Sequence, residues 1–210
     1  MTGKADGPPA SDEPSTAGRD YAERLLRLDR SRWRRLLNVQ APYRWNIRRL
    51  GLGRTLDVGC GLGRNLAHLG GRGVGVDHNA DSIRVARTRG LTAYVVEDFS
   101  TSSDAQPESY DSLLLAHVVE HLSLDEARSL LESYLPYLRP NGRVCFITPQ
   151  ERGYRMDATH VRFVDFEGLA QLSVLVGLAP DRFYSFPFPR PAGKVFPYNE
   201  FVFLARKPHA

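Results

Sequence analysis

The sequence predicts an α/β fold: an open, mostly parallel sheet covered by helices on both faces. Three observations carry that expectation. From Thr55 onward, short apolar runs of strand length alternate with segments of helical periodicity. Each of the first five runs is followed by polar groups: Asp57, Asp77, Asp98, His117 to His121, and Thr148. The first run also passes into a turn, Asp57-Val58-Gly59-Cys60-Gly61-Leu62-Gly63-Arg64, with three glycines in five positions. Ligands bind an open parallel sheet beyond the carboxyl ends of its strands. The polar strand ends therefore mark one edge as a site.

The elements follow in order. Strand one covers 55–58, and a helix starts at Arg64. Strand two, Gly73–Val76, runs into Asp77-His78-Asn79, and a helix over Asp81–Thr88 follows. Strand three, Thr92–Val96, ends in Glu97-Asp98-Phe99. A polar loop, Ser100–Ser109, leads to strand four, Ser112–Ala116, and then His117-Val118-Val119-Glu120-His121-Leu122. Helix Leu124–Leu138 carries Leu130, Leu131, Tyr134 and Leu138 on one side. Arg139-Pro140-Asn141-Gly142 turns into strand five, Arg143–Thr148. A helix from Asp165 to Gly177 and two late strands, Arg182–Phe186 and Glu200–Arg206, complete the domain, 55–207.

Residues 1–18 are polar and rich in Pro, Gly and Ser, too poor in apolar surface to offset the entropy of ordering, and are expected to be a disordered tail. Residues 19–54 form a helical extension: Tyr21, Leu25, Leu28 and Leu36 recur at helical spacing, and a second helix follows Pro42 with Tyr43, Trp45, Ile47 and Leu50. This extension holds eleven Arg against three acids. The whole chain, however, uses 25 Arg and only 3 Lys at a net charge of +4, so Arg clustering reflects a residue bias. The extension reads as the solvated side of amphipathic helices, and nucleic acid is not the expected partner. Two cysteines form no disulfide framework, no apolar run approaches the ~20 residues of a membrane span, and no signal-peptide core is present. A cytoplasmic protein, monomeric or homodimeric, is expected.

The glycine turn is where the chemistry starts. Glycines admit positive φ and let a ligand approach the main chain, and the helix that follows offers unpaired N–H groups. A dinucleotide fingerprint, G-x-G-x-x-G, would need glycine where Arg64 stands. The pattern hydrophobic-D-x-G-x-G-x-G instead resembles the first motif of class I S-adenosylmethionine (SAM)-dependent methyltransferases. That resemblance implies SAM as cofactor and a Rossmann-like seven-stranded sheet in the order 3-2-1-4-5-7-6, its last two strands antiparallel. It also implies cofactor contacts from Asp57, Gly59, Gly61, Gly63, Arg64, Asp77, His78, Glu97, Asp98, Phe99 and His117. Among these, Asp77 would accept the ribose hydroxyls. Asp98 with Phe99 would hold adenine, by the exocyclic amine and by stacking, and Asp57 would face the amino-acid end.

The stretch after strand four lacks the D/N/S-P-P-Y/F turn of methyltransferases acting on nucleic acid bases. Its H-x-x-E-H arrangement resembles small-molecule methyltransferases related to the ubiquinone-biosynthesis O-methyltransferase. The acceptor implied is a small-molecule hydroxyl, with a saccharide or polyketide-like molecule favoured. A hydroxyl needs its proton removed as it attacks, and a neutral imidazole suits that task. His121, His160 and Glu120 are the candidate catalytic groups. Tyr154 and Arg162, near His160, are candidate substrate contacts. So are Tyr43 and Trp45, because the resembling family lays such an extension over the cofactor mouth. His117, Glu120, His121 and His160 also have ligand chemistry, but no metal is assigned. Two other readings are an RNA methyltransferase and an inactive SAM-binding regulatory subunit.

Overall fold

The computed structural model describes residues 40–209. The tail expected at 1–18 and the first helix of the extension lie outside the described residues. Helices in chain order are α1 (Ala41–Arg49), α2 (Arg64–His68), α3 (Ala80–Thr88), α4 (Val96–Phe99), α5 (Leu124–Tyr134), α6 (Glu151–Tyr154) and α7 (Phe166–Leu175). The strands are β1 (Thr55–Val58), β2 (Gly73–Asp77), β3 (Ala93–Val95), β4 (Tyr110–Ala116), β5 (Leu138–Pro149), β6 (Ala179–Phe186) and β7 (Glu200–Arg206).

All seven strands form one sheet in the order β3-β2-β1-β4-β5-β7-β6, as the resemblance implied. β1 pairs in parallel with both β2 and β4, so strand order reverses there and opens a crevice beyond Val58. β7 runs antiparallel to β5 and to β6. The amino end of β7 therefore lies at the same edge as the carboxyl ends of the parallel strands.

Alternation along the strands sorts side chains to two faces. Leu56, Val58, Val74, Val76, Leu113, Leu115, Val144 and Phe146 pack against Ala127 and Leu131 of α5 and Leu169 and Leu172 of α7. The other face meets α1 through Ile47, with Leu114, Cys145, Val202 and Leu204. Leu66 of α2, Ile83 and Ala86 of α3, Cys60 and Ala93 complete that face. Gly75 is what lets α2 approach the sheet. A Cβ there would lie 2.6 Å from Cys60 Sγ and 2.7 Å from Leu66 Cδ1.

Local rules set most boundaries. Pro42 sits in the first turn of α1, where its missing N–H costs nothing. Buried Asn46 fixes α1 to β6, its Oδ1 accepting from Tyr184 Oη at 2.6 Å and Arg49 Nε at 3.2 Å. A capping box starts α5, with the Ser123 side chain accepting from Glu126 N and Ser123 N donating to the Glu126 carboxylate at 2.8 Å. The helix expected to reach Leu138 stops at Tyr134, because Pro136 cannot donate within a helix and the chain tightens into a 3₁₀ turn, Leu135–Tyr137. β5 then begins at Leu138, not Arg143, with an irregularity around Asn141 at φ 59°. Strand three is shorter than expected, and residues 96–99 wind into α4. Among the described residues no helix is long and apolar enough to cross a membrane.

Gly75→Val is expected to destabilise the fold by about 1–3 kcal/mol through overpacking. Urea unfolding followed by circular dichroism measures it, and an unchanged midpoint would show that α2 shifts freely on the sheet.

Candidate functional site

The crevice begins at the turn after β1, where Gly59, Gly61 and Gly63 adopt φ of 75°, 51° and 76°. Their roles differ. A Cβ on Gly59 would lie 2.4 Å from Val118 Cγ2, and one on Gly63 would lie 2.4 Å from Leu91 Cδ1. A Cβ on Gly61 would meet nothing within 4 Å. The outer glycines serve packing, while the middle one leaves its backbone open to a ligand. The Gly59–Val118 contact also joins this turn to the residues that follow β4.

Two carboxylates flank the turn. Asp77, at the end of β2, accepts from Gly61 N through Oδ2 and from Asn79 N through Oδ1, both at 2.8 Å. It is anchored by backbone donors and keeps further lone pairs for hydroxyl groups. His78 stands beside it, 3.6 Å from Asp77 Oδ1. Asp57 is buried and neither of its carboxylate oxygens has a protein partner. Burial, then the charge of Asp77, pushes its pKa up to about 8. A buried carboxyl without a partner is costly, and the ammonium group of an amino acid would satisfy it. Arg64 is exposed at the start of α2 and faces buried His68 together with Arg44 and Arg48 of α1. Burial and those three cations pull His68 down to about 4. The wall beside the turn is therefore positive, as the carboxylate of the same amino acid requires.

The adenine side departs from expectation. Phe99 does not line the crevice. It is 2% exposed in the core, against Tyr94, Tyr134 and Tyr137 at 6.2, 6.1 and 5.1 Å between ring centres. The reason is α4: once residues 96–99 turn helically, Phe99 points inward and Val96 is the exposed apolar side chain. Burial, then Tyr137, Asp77 and Glu97, push Tyr134 up to about 12, so Glu97 shares the surroundings of Asp77. Asp98 lies on the α3 side, in a hollow with Ala80, Ile83, Arg84 and Arg87.

Beyond β4, His117 adopts φ 61° and contacts a carboxylate with each ring nitrogen. Nδ1 lies 3.1 Å from Glu120 Oε1 and Nε2 lies 3.0 Å from Glu200 Oε1. Both partners are acceptors, so both nitrogens donate and the ring is an imidazolium. Burial works against that charge, but the hydrogen bonds to Glu120 and Glu200 prevail and raise its pKa to about 10. The ring still keeps 44% of its side-chain surface open within the cleft. Glu200 was not anticipated from the sequence. It opens β7, and only the antiparallel course of that strand brings it to the ligand edge.

Glu120 is fully buried, and its Oε2 has no partner. Its carbonyl accepts from Val161 N at 2.8 Å and Arg162 N at 3.1 Å, which ties the loop after β5 to the end of β4. That tie brings His160 to His121, with ring centres 4.8 Å apart. His121 Nδ1 donates to Thr159 O at 3.0 Å, and His160 Nδ1 to Tyr154 O at 2.7 Å. Each Nε2 is left with its lone pair. Burial holds the His121 pKa below the ordinary imidazole value, with Glu120 opposing. Tyr154 stacks on His160 at 5.2 Å. Arg162 departs from the expected substrate contact: its guanidinium lies near Gly168 of α7, with Nε and Nη2 buried and unpartnered.

The extension reaches the same edge. Tyr43 Oη donates to Tyr198 O at 2.6 Å, and burial followed by Glu200 raises its pKa. Trp45 stands at the rim, 56% exposed and stacked on Phe186, which pairs with Glu200 across β6 and β7.

The fold and this crevice define a class: α/β domains that hold a nucleoside-bearing amino acid at a glycine turn. The family model for the methyltransferase domain matches residues 56–146. The ubiquinone biosynthesis O-methyltransferase of Serratia proteamaculans (strain 568) is 31% identical over 102 residues, 45% of this chain and 42% of that protein. The chain thus spans less than half the length of the curated relatives it matches. Among solved structures, a SAM-dependent methyltransferase from Archaeoglobus fulgidus superposes with TM-score 0.61 at 18% identity, over 79% of this chain and 93% of that one. A methyltransferase of Haloferax volcanii, solved in complex with the Trm112 methyltransferase activator, gives 0.65 at 17% identity, over 91% and 96%. Residues 56–146 thus match the methyltransferase-domain family model, and the chain shares its fold with SAM-dependent methyltransferases. Its cofactor is S-adenosylmethionine.

Gly61→Val and Asp77→Ala are each expected to lower SAM affinity at least tenfold in calorimetry; unchanged affinity in both would remove the glycine turn as the cofactor site. Asp57 gives a pH signature. Its folded pKa lies above the unfolded value of 3.8, so between pH 4 and 8 the ligand-free fold holds a proton that the unfolded chain releases. Stability from this group therefore falls as pH rises through that window. Asp57→Asn should remove that part of the fall in thermal melts while weakening SAM binding. A variant that tracks the parent at every pH would place the Asp57 carboxyl in a solvated site.

Proposed function

We propose that this chain transfers a methyl group from SAM to a hydroxyl of a small molecule. When bound, SAM would supply an electrophilic methyl group on a sulfonium centre, with S-adenosylhomocysteine as the leaving group when the acceptor oxygen bonds to that carbon. The residues Asp57, Gly61, Asp77 and Glu97, with Arg64 on the positive wall, would hold it. Holding the reacting groups in line is worth about 7–11 kcal/mol.

The observation that carries the hydroxyl reading is the His121–His160 pair. Both rings spend Nδ1 on a backbone carbonyl, which leaves both Nε2 atoms as acceptors, and His121 lies three residues after Val118, which packs on the glycine turn. A neutral imidazole held below its ordinary pKa accepts a proton at physiological pH. An inactive SAM-holding subunit has no use for two such groups. The relatives named as O-methyltransferases support the same reading. The rim of Tyr43, Trp45 and Phe186 suits a ring-bearing acceptor, a saccharide or a polyketide-like molecule.

In a panel of hydroxyl and amine acceptors, release of S-adenosylhomocysteine is expected with hydroxyl compounds. His121→Ala should then lower turnover on the order of 10²–10⁴-fold and leave SAM affinity nearly unchanged. Turnover confined to amines, or full activity in His121→Ala and His160→Ala alike, would overturn the reading.

A further inference from the structure

We propose that Glu120, His121 and His160 form a binding site for one divalent metal ion. Their donor atoms lie within 4.8 Å of one another. Ligand bonds of ~2.0–2.2 Å ask for some closure of that triangle, within reach of side-chain rotation.

Proximity is the weaker part of the case. The stronger part is that all three groups are prepared. His121 donates through Nδ1 to Thr159 O, with Thr159 Oγ1 also at 3.1 Å, and His160 donates through Nδ1 to Tyr154 O. A backbone carbonyl accepts only, so these bonds fix the tautomer and leave each Nε2 with its lone pair. Metal-ligating histidines are oriented in this way. Thr159 is itself held, its N and Oγ1 both donating to Asp157 Oδ1 at 3.1 and 2.7 Å.

Glu120 supplies the independent sign. Its side chain is fully buried, Oε1 is engaged by His117, and Oε2 has no partner. Packing of the two tilted rings alone would explain their contact but would leave that oxygen unsatisfied at a cost. Arg162, the nearest candidate cation in the loop, makes no ion pair among the described residues, and its guanidinium lies near Gly168. A cation between the rings and Oε2 satisfies all three acceptors together. His117 is not a ligand, because both of its nitrogens already donate.

The donor set indicates the ion and the acceptor. Two imidazoles and one carboxylate suit Zn²⁺, Co²⁺, Mn²⁺ or Fe²⁺, whereas Mg²⁺ and Ca²⁺ favour shells of oxygen. Three protein ligands leave positions open. Resting on the hydroxyl reading above, those positions fit an acceptor with two adjacent oxygens, a vicinal diol or a hydroxyl beside a carbonyl. The ion would hold the hydroxyl and lower its pKa, the proton passing to water. His121 would then serve as a ligand and would not itself take the proton.

The test uses the full chain without a histidine tag, treated with chelator and titrated with cobalt(II) chloride, read by visible absorption and calorimetry. One equivalent should bind with a ligand-field spectrum. His121→Gln, His160→Gln and Glu120→Gln should each weaken uptake at least tenfold, with far-ultraviolet circular dichroism unchanged for at least one of them. A vicinal-diol acceptor should alter the cobalt spectrum, and a mono-hydroxyl analogue should alter it less. No stoichiometric uptake by the parent, or uptake unaffected in the folded variants, would overturn the site. Calorimetry of the stripped parent with SAM separates the two readings. SAM binding without ion uptake sinks the metal site alone, and failure to bind SAM sinks the methyltransferase reading with it.

Discussion

The close approach of Val118 to Gly59 is the constraint on which the rest of the site depends. It is possible only because Gly59 lacks a Cβ, and it joins the turn after β1 to the chain leaving β4 at the point where strand order reverses. On one side of that contact lie Gly61 and Asp77. On the other lie His117, Glu120 and His121. A bulkier residue at 59 would push these halves apart.

Charge within the crevice follows a matching division. Asp77 is satisfied by two backbone donors. Asp57 and the Oε2 of Glu120 are buried without partners. The His117 imidazolium, gripped by Glu120 and Glu200, keeps two acids together that would otherwise repel. The protein thus supplies internal counterions for part of its buried charge. It leaves Asp57 and half of Glu120 to be satisfied from outside. Such leftover groups are costly to a fold and informative about its ligands.

The cofactor half was legible in the sequence because it is built on strand ends, and an apolar run followed by Asp can be read one residue at a time. The glycine turn, Asp57 and Asp77 came from that signal, whereas the sheet order came from the family resemblance that the turn carries. Phe99 was misassigned because Val95-Val96 looks like continuing strand, and pattern alone does not show a turn of helix starting at 96. Arg162 was misassigned because nearness to His160 in sequence does not put two side chains on one side, and residues 160–162 are coil. Glu200 was invisible for a different reason. Its distance from His117 is 83 positions, and only the reversed direction of β7 brings it to the edge. The stops at Pro136 and Val96 show the same limit, local chemistry overriding a periodic pattern.

The two halves are also held differently. The cofactor half is fixed by the parallel ladder, whose register leaves little freedom. The acceptor half is held by single backbone bonds: Glu120 O to Val161 N and Arg162 N, Thr159 O to His121, and Tyr154 O to His160. Carbonyls do this work whatever side chains the loop carries. Sequence in the loop can therefore vary while the two imidazoles stay in place. Tyr154 is the exception, since its ring as well as its carbonyl holds His160. Its position ties the loop's conformation to the orientation of the His160 ring.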